Sequence, residues 1–562
     1  MKKITVKMVI QKMREELSED IPKLFKWITM KLTLLMTYTS EVLNENLDIL
    51  IQKISPKDHT LSAKFDSSRK LLSRRNTGFV LDGKRAVSLK QSRSNVLAVA
   101  PSGVGKSQVV VFPSLINIAQ SGQSMLVNDP HGELVQVIPY LKSLGYKVQV
   151  LDFEREDLEV FYNPLLRCTD KTSTNKVANL LVKQGLGNSK NISSSGSYFT
   201  TKATELVGMM INFLREQGIQ EYYHLAGVFD LLEQLQGNPD GVKGLFDTAP
   251  DYLQKKLNSF MGTSTDTLSS IVSTSQASLS FIGNDDKLSY ITSKNSIDFN
   301  ELRSGDQPTA IFVKVPIGDA QYFKKIVGLL FEQFFSFLFK SLPTETDKDV
   351  FVVLDEMAAI APALSDFSNV ISSARKFRAP ILGILQSENQ LYDAYGQNQT
   401  KTILNNFNVK LYFSGLYDEA DRLEKFLGKY SYSETLKNGH QTTKVRSLMT
   451  SDEIRNIPLD QILCIASGMK PLKLKVTPAH KQPKLLQILQ MTEEPTLLLE
   501  GSEKDEEEYE EDAAFADFGE ENGIPLLPIP KPIRNEDTKG IPPHKYAEKL
   551  KEHKNNLKEE SK

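Results

Sequence analysis

Cysteine is almost missing from this chain: two residues, Cys168 and Cys464, occur in 562. Two cysteines cannot build a disulfide framework, and neither has a partner at metal-ligand spacing. Disulfide-stapled scaffolds and zinc modules are therefore excluded, and a reducing, cytoplasmic setting is expected. An uninterrupted apolar run is missing too. The most apolar early stretch, Leu24 to Leu43, is broken by Lys26, Lys31 and Glu41, whereas a spanning helix asks for about 20 mostly apolar residues. With Phe25, Trp27, Ile28 and Leu32 beside Lys23, Lys26 and Lys31, the stretch suits the inner surface of a membrane or a docking helix for a partner. Nor does the start, Met1-Lys2-Lys3, lead into the apolar core and small-residue cleavage site of a signal peptide. Net charge is small, at −2, but unevenly spread. Between Glu500 and Glu521 twelve acids face one lysine, a local charge of −11, which leaves +9 on the rest. A mildly basic body permits polyanion binding.

What is present is a globular composition, 40% hydrophobic and 25% charged, on a chain too long for one core. Residues 1–70 read as helical. Gly78 to Leu89 reads as a hairpin around Asp82-Gly83. From there apolar strands alternate with helices: Asn95 to Val99, a helix through Val109 to Ile118 that Pro113 bends or interrupts, Met125 to Asp129, a helix Leu134 to Leu144, and Lys147 to Leu151. This alternation predicts a parallel α/β sheet. Over 168–305 the alternation gives way to helical periodicity with Ser/Gly-rich breaks, which predicts an all-α domain inserted into a nucleotide-binding domain formed by 71–167 and 306–490. The sheet resumes at Ala310 to Val315, Val350 to Leu354, Ile381 to Leu385, Val409 to Phe413 and Leu463 to Ala466. Over 491–562 the composition turns acidic, then Pro-rich (Pro525, Pro528, Pro530, Pro532), then Lys/Glu-rich. Such a segment buries little apolar surface and is expected to be a disordered tail.

Ala100-Pro101-Ser102-Gly103-Val104-Gly105-Lys106-Ser107 follows the first strand and opens a helix. That is the pattern of a phosphate-binding loop. Backbone N–H groups wrap an anion where Gly103 and Gly105 let the chain approach, Lys106 reaches the outer phosphates, Ser107 Oγ ligates Mg²⁺, and the helix N-terminus adds its dipole. The usual glycine at position 100 is alanine, followed by Pro101. The natural partner of this loop is Asp355-Glu356, two acids ending an apolar strand: Asp355 to hold Mg²⁺ through water, Glu356 to orient and deprotonate an attacking water. Gln386 ends another strand, where it can touch a γ-phosphate. Arg375 lies between the acids and Gln386, and in ring NTPases an arginine at a subunit edge completes the neighbour's site. Lys376 and Arg378 are rivals for that role. The expected ligands are ATP and Mg²⁺.

These segments resemble, in order, the coupling proteins of type IV secretion and conjugation, the TraG/TraD type among the FtsK/HerA-like ring motors. Beyond the phosphate loop the resemblance rests on Asp129-Pro130-His131-Gly132-Glu133, with His131 where lysine is usual, on Tyr162-Asn163-Pro164-Leu165, on Leu354-Asp355-Glu356 and on Gln386-Ser387. It ends on the segment from Asn405 through Leu416-Tyr417-Asp418 to Gly468-Met469-Lys470-Pro471. The resemblance implies a RecA-like P-loop ATPase fold and a homo-hexameric, ATP-driven pump. It implies further that the pump links a relaxase-bound DNA, single-stranded and held without base reading, to the components of a secretion channel. Family members usually begin with two membrane-spanning helices, which this sequence does not display. Two other readings stay open: a nucleotide-regulated adaptor that recruits substrates, and a soluble plasmid or chromosome translocase. For the tail, the resemblance implies contact with relaxosome proteins through Asp505 to Asp512, with Tyr509, Phe515 and Phe518 as anchors. A tail that only solubilises is the alternative.

Overall fold

The computed structural model describes residues 61–155, 159–185, 194–315, 320–364, 366–435 and 440–492. Of the helical region expected over 1–70, residues 1–60 lie outside these residues, and 61–70 are extended or irregular apart from the 3₁₀ turn Ser68–Lys70; of the tail expected over 491–562, all from 493 on lies outside them. The described chain is built on one nine-stranded sheet. Its strands are β1 (Val96–Val99), β2 (Ser124–Asp129), β3 (Lys147–Asp152), β4 (Thr309–Lys314), β5 (Val350–Leu354), β6 (Ile381–Leu385) and β7 (Val409–Tyr412). A two-stranded ribbon, β8 (Lys429–Thr435) with β9 (Gln441–Ser447), stands apart, and β10 (Gln461–Ala466) and β11 (Leu472–Lys475) complete the sheet. The order is β11-β10-β7-β1-β6-β5-β2-β4-β3. All pairings from β7 to β3 are parallel, while β10 runs antiparallel to both its neighbours.

The central strands are apolar on both faces, as a sheet covered on both sides requires. Leu97 and Val99 point into one hydrophobic cluster, and Val96, Ala98 and Ala100 into another. The second cluster is closed by the helices Phe112–Gln120 and Ile138–Ser143. The first is closed by the helices Ala320–Leu338, Phe367–Ala374 and Asn389–Asn405, and it continues without a break into the helices between β3 and β4. Those helices run from Lys171–Gly185 to Phe299–Ser304, and no strand occurs among the described residues between β3 and β4. Their root is Asn163. Its Oδ1 accepts from Leu165 N (3.0 Å), and its Nδ2 donates to Tyr223 O (2.8 Å) and Ser293 O (3.3 Å).

Two buried polar groups register the strands that matter most for the site. Asn95, just before β1, adopts a left-handed φ of 62° that asparagine tolerates better than most residues. Its amide donates to Ile371 O (3.0 Å) and Asn406 O (3.2 Å) and accepts from Ile381 N (3.1 Å), so β1 and β6 start level. Asp349, fully buried before β5, accepts from Arg93 Nε (2.7 Å) and Arg378 Nε (2.6 Å). The expected hairpin at Gly78 to Leu89 is reduced to a bridge between Val80 and Ala86 around Gly83, whose φ is 86°.

Candidate nucleotide site

The phosphate loop leaves the C-terminal end of β1, in the middle of the sheet. Ala100 N donates to Leu385 O (2.8 Å), so position 100 still belongs to the sheet ladder. Its φ is not positive and its methyl group is buried, which is why alanine replaces glycine there without strain. Gly103 and Gly105 have φ of 83° and 89°, with open space where a Cβ would stand. Backbone conformation, rather than crowding, requires glycine at both. Lys106 is helical, and Ser107–Val111 forms a π-turn closed by Phe112 N donating to Ser107 O. Pro113 explains the turn. In a regular α-helix its ring would collide with the carbonyl of Val109 and its missing N–H would leave a gap. The wider turn lets an α-helix begin at Phe112 with proline in its first turn, where no N–H is needed.

The order β1-β6-β5-β2 sets four loop ends side by side: the phosphate loop, Gln386, Asp355-Glu356 and Asp129. Parallel sheets bind ligands at this edge, where helix N-termini and strand C-termini meet. Asp355 is buried, and its Oδ1 is without a hydrogen-bond partner. Burial pushes its carboxyl up to about 6; the Lys106 ammonium pulls it back down, Asp129 pushes it up, and His131 and Glu133 act down and up in turn. An orphaned, desolvated carboxylate oxygen fits a hard divalent cation, which takes oxygen ligands and keeps several waters. No cluster of three metal-ligating side chains occurs among the described residues. A cation here would thus draw on Asp355, Ser107, water and its phosphate ligand.

Glu356 is half-buried at the start of the short helix Met357–Ile360, and both of its oxygens are held. Gln386 Nε2 donates to Oε2 (3.1 Å) and Gln390 Nε2 donates to Oε1 (3.2 Å). The structure thus joins Glu356 to Gln386 and sets Lys106 in the field of Asp355. It does not bring Arg375 to them. Arg375 and Lys376 are exposed beyond the helix Phe367–Ala374, at the opposite end of the sheet, where Arg375 lines a pocket with Ser94 and Asn408. Arg378 is consumed structurally: besides Asp349 it donates to Thr344 O (2.8 Å) and Asp347 O (2.5 Å).

Asp129 is a structural acid. Its carboxylate accepts from Glu133 N (3.1 Å), Leu134 N (2.8 Å) and Val135 N (3.2 Å), which caps the 3₁₀ turn Leu134–Val137. Three participants were not apparent in the sequence. Gln390 stands four residues after Gln386, and that i, i+4 spacing was the available signal. Glu388 accepts from Tyr412 OH (2.9 Å) and Arg422 NH2 (2.6 Å). Gln108, next to Ser107, accepts from His480 N (3.1 Å). No local pattern joins residues so far apart as these.

A parallel sheet with a phosphate loop on a central strand and paired acids two strands away defines a nucleotide-binding P-loop protein of RecA-like fold. The family model described as Type IV secretory system Conjugative DNA transfer matches residues 44–493, and the chain belongs to that family. It is 23% identical over 468 residues to protein VirD4 of Agrobacterium fabrum, covering 76% of this chain and 66% of the relative. To VirD4 of Rhizobium rhizogenes it is 24% identical, covering 67% and 57%. The chain therefore spans just under two thirds, or less, of these relatives' length. Among solved structures, the unbound conjugative coupling protein TrwB aligns with a TM-score of 0.58 at 15% identity, over 75% of this chain and 95% of that one. TrwB in complex with ADP and Mg²⁺ gives 0.57 at 16%, over 76% and 98%. No helix among the described residues is long and apolar enough to cross a membrane.

Proposed function

We propose that this protein is the ATP-driven motor of conjugative DNA transfer, a coupling protein that moves a relaxase-bound DNA strand toward a type IV secretion channel. The observation that carries the reading is the convergence of Lys106, Asp355, Glu356 and Gln386 at one edge of the sheet, in a chain of the conjugative DNA transfer family. Nucleotide complexes of the similarly folded TrwB support ATP and Mg²⁺ as ligands. In this mechanism Pro101 to Ser107 cradle the phosphates, Lys106 offsets their charge, and Ser107 with Asp355 holds the cation. A bound Mg²⁺ would offset charge on the phosphates. Glu356 takes the proton of the attacking water, and Gln386 turns from Glu356 to the terminal phosphate.

On the same reading the subunits form a homo-hexameric ring at the inner face of the membrane, and Arg375 completes the neighbour's site. Its exposure, far from the phosphate loop of its own chain, suits action in trans and no other catalytic role. The inserted helical domain, 168–305, faces the incoming DNA, and the tail from 491 docks on a relaxosome protein. The test is ATP turnover with and without single-stranded DNA. Lys106→Ala is expected to lose nucleotide binding, and Glu356→Gln to bind nucleotide but lose hydrolysis by about a hundredfold or more. Turnover at the wild-type rate in Glu356→Gln, or no stimulation by DNA in the wild type, would overturn the proposal.

A further inference from the structure

Each oxygen of Glu356 is held by a different glutamine, and the two glutamines are not equivalent. Gln390 is built in. Its Oε1 accepts from Gln386 N (2.9 Å) and Ser387 N (3.4 Å), the first N–H groups past the end of β6. Those bonds fix which end of the amide is oxygen, so its Nε2 must face Glu356 as a donor. Gln390 also stands in the first turn of the helix Asn389–Asn405, where the backbone holds it. Among the described residues, the Gln386 side chain is held by a single hydrogen bond, from its Nε2 to Oε2 of Glu356 at 3.1 Å. It is the arm free to leave.

We infer that Gln390 is a positioning residue for hydrolysis, keeping Glu356 aimed through Oε1 when Gln386 departs for the phosphate and bares Oε2 for the water. This rests on the reading of Glu356 as the base. Had both glutamines the same task, releasing one carboxylate oxygen would leave Glu356 to rotate about its terminal torsion, which is broad. A second, immobile donor removes that freedom at the moment when orientation decides the rate. The same amide ties the Glu356 carboxylate to the backbone of 386–387, so movement of the Gln386 segment is read at the base.

Two substitutions separate this role from a merely structural one. Gln390→Glu keeps an oxygen for the Gln386 and Ser387 N–H groups but replaces the donor to Glu356 with an acceptor of like charge. Gln390→Leu removes both. Gln390→Glu is expected to lower kcat by on the order of 10- to 100-fold while leaving KM for ATP and affinity for a non-hydrolysable ATP analogue at their wild-type values. Gln390→Leu is expected to lower kcat and also the melting temperature. A wild-type kcat in Gln390→Glu, or a loss of kcat matched by an equal loss of nucleotide affinity, would overturn the inference. Both variants are compared with Glu356→Gln, and with each combined with it. If Glu356→Gln is inactive and Gln390→Glu has wild-type kcat, only the positioning role falls. If Glu356→Gln itself turns over normally, the base assignment falls and the positioning role falls with it.

Discussion

Asp355→Asn offers a quantitative check on the site. In the folded protein burial raises the Asp355 carboxyl from its usual 3.8 to about 6, with Lys106, Asp129, His131 and Glu133 as its charged neighbours. A raised carboxyl pKa means that the folded state prefers the proton. The associated stability is therefore present below about pH 4 and is lost as pH rises through about 6. With about 1.4 kcal/mol per unit, ionising Asp355 costs on the order of 3 kcal/mol near pH 8 and roughly half of that near pH 5. Asparagine has no proton to lose and nearly the same shape. In the presence of a chelator, Asp355→Asn should accordingly be more stable than the wild type at about pH 8 and less markedly so at about pH 5, with the gap widening by on the order of 1 kcal/mol between them. Denaturant midpoints at both pH values measure this. Mg²⁺ with a non-hydrolysable ATP analogue should reverse the order, stabilising the wild type and leaving the variant nearly unchanged, because cation binding recovers the energy of the ionised carboxylate. A variant less stable than the wild type at both pH values, or one stabilised equally by the Mg²⁺ complex, would refute the reasoning.

Other outcomes are expected from the same contacts. Mixing Arg375→Ala subunits with Lys106→Ala subunits should restore part of the ATP turnover that each lacks alone, since a mixed ring contains intact interfaces; assembled mixtures without recovery would remove Arg375 from the site. Truncation after Leu499 should leave ATP turnover by the purified body unchanged while lowering DNA transfer between cells. Truncation before Ala479 should instead lower the melting temperature, because it removes His480, Gln482 and the packed residues Leu485, Ile488 and Leu489. Arg422→Ala leaves the buried Glu388 without its counter-charge and should cost about 1 to 3 kcal/mol, a range discounted because the Arg422 side chain is 47% exposed. Adding Glu388→Gln should recover part of that loss, as denaturant midpoints would reveal.

The legible parts of this structure are those that local chemistry specifies. The strands from β1 to β7 and β10 follow short apolar runs bounded by turn residues, and the loss of alternation after β3 marks the helices that precede β4. Pro113 was legible as a disturbance, though the π-turn that accommodates it was not, since a lone proline does not say whether a helix bends, stops or widens. β8, β9 and β11 went unread because their side chains are mostly polar. In β8 and β9 most residues are exposed, and β11 alternates buried leucines with exposed lysines at the sheet's edge. Within the site, Lys106, Ser107, Asp355, Glu356 and Gln386 were legible because loop ends after apolar strands project to one edge. Asp129 was legible only as a position; its service as a cap is visible once the N–H groups of Glu133, Leu134 and Val135 turn toward it.

What sequence spacing could not convey is how firmly the glutamine segment is tied to the C-terminal part of the chain. Ser387 Oγ (2.9 Å) and Glu388 N (2.8 Å) both donate to Glu419 Oε1, Asn389 donates to Asp418 (2.7 Å), and Glu388 binds Tyr412 and Arg422. Glu388 is itself buried, its carboxyl raised by desolvation and held back by Arg422, so breaking these bonds leaves an uncompensated group in the core. Consequently a shift of the backbone at 387–389 would have to break these bonds or carry the 418–422 segment with it. The helix Ala420–Leu427 begins in that segment and leads directly into the β8–β9 ribbon. Hydrogen bonds and an ion pair thus join the nucleotide edge of the sheet to an exposed element outside it.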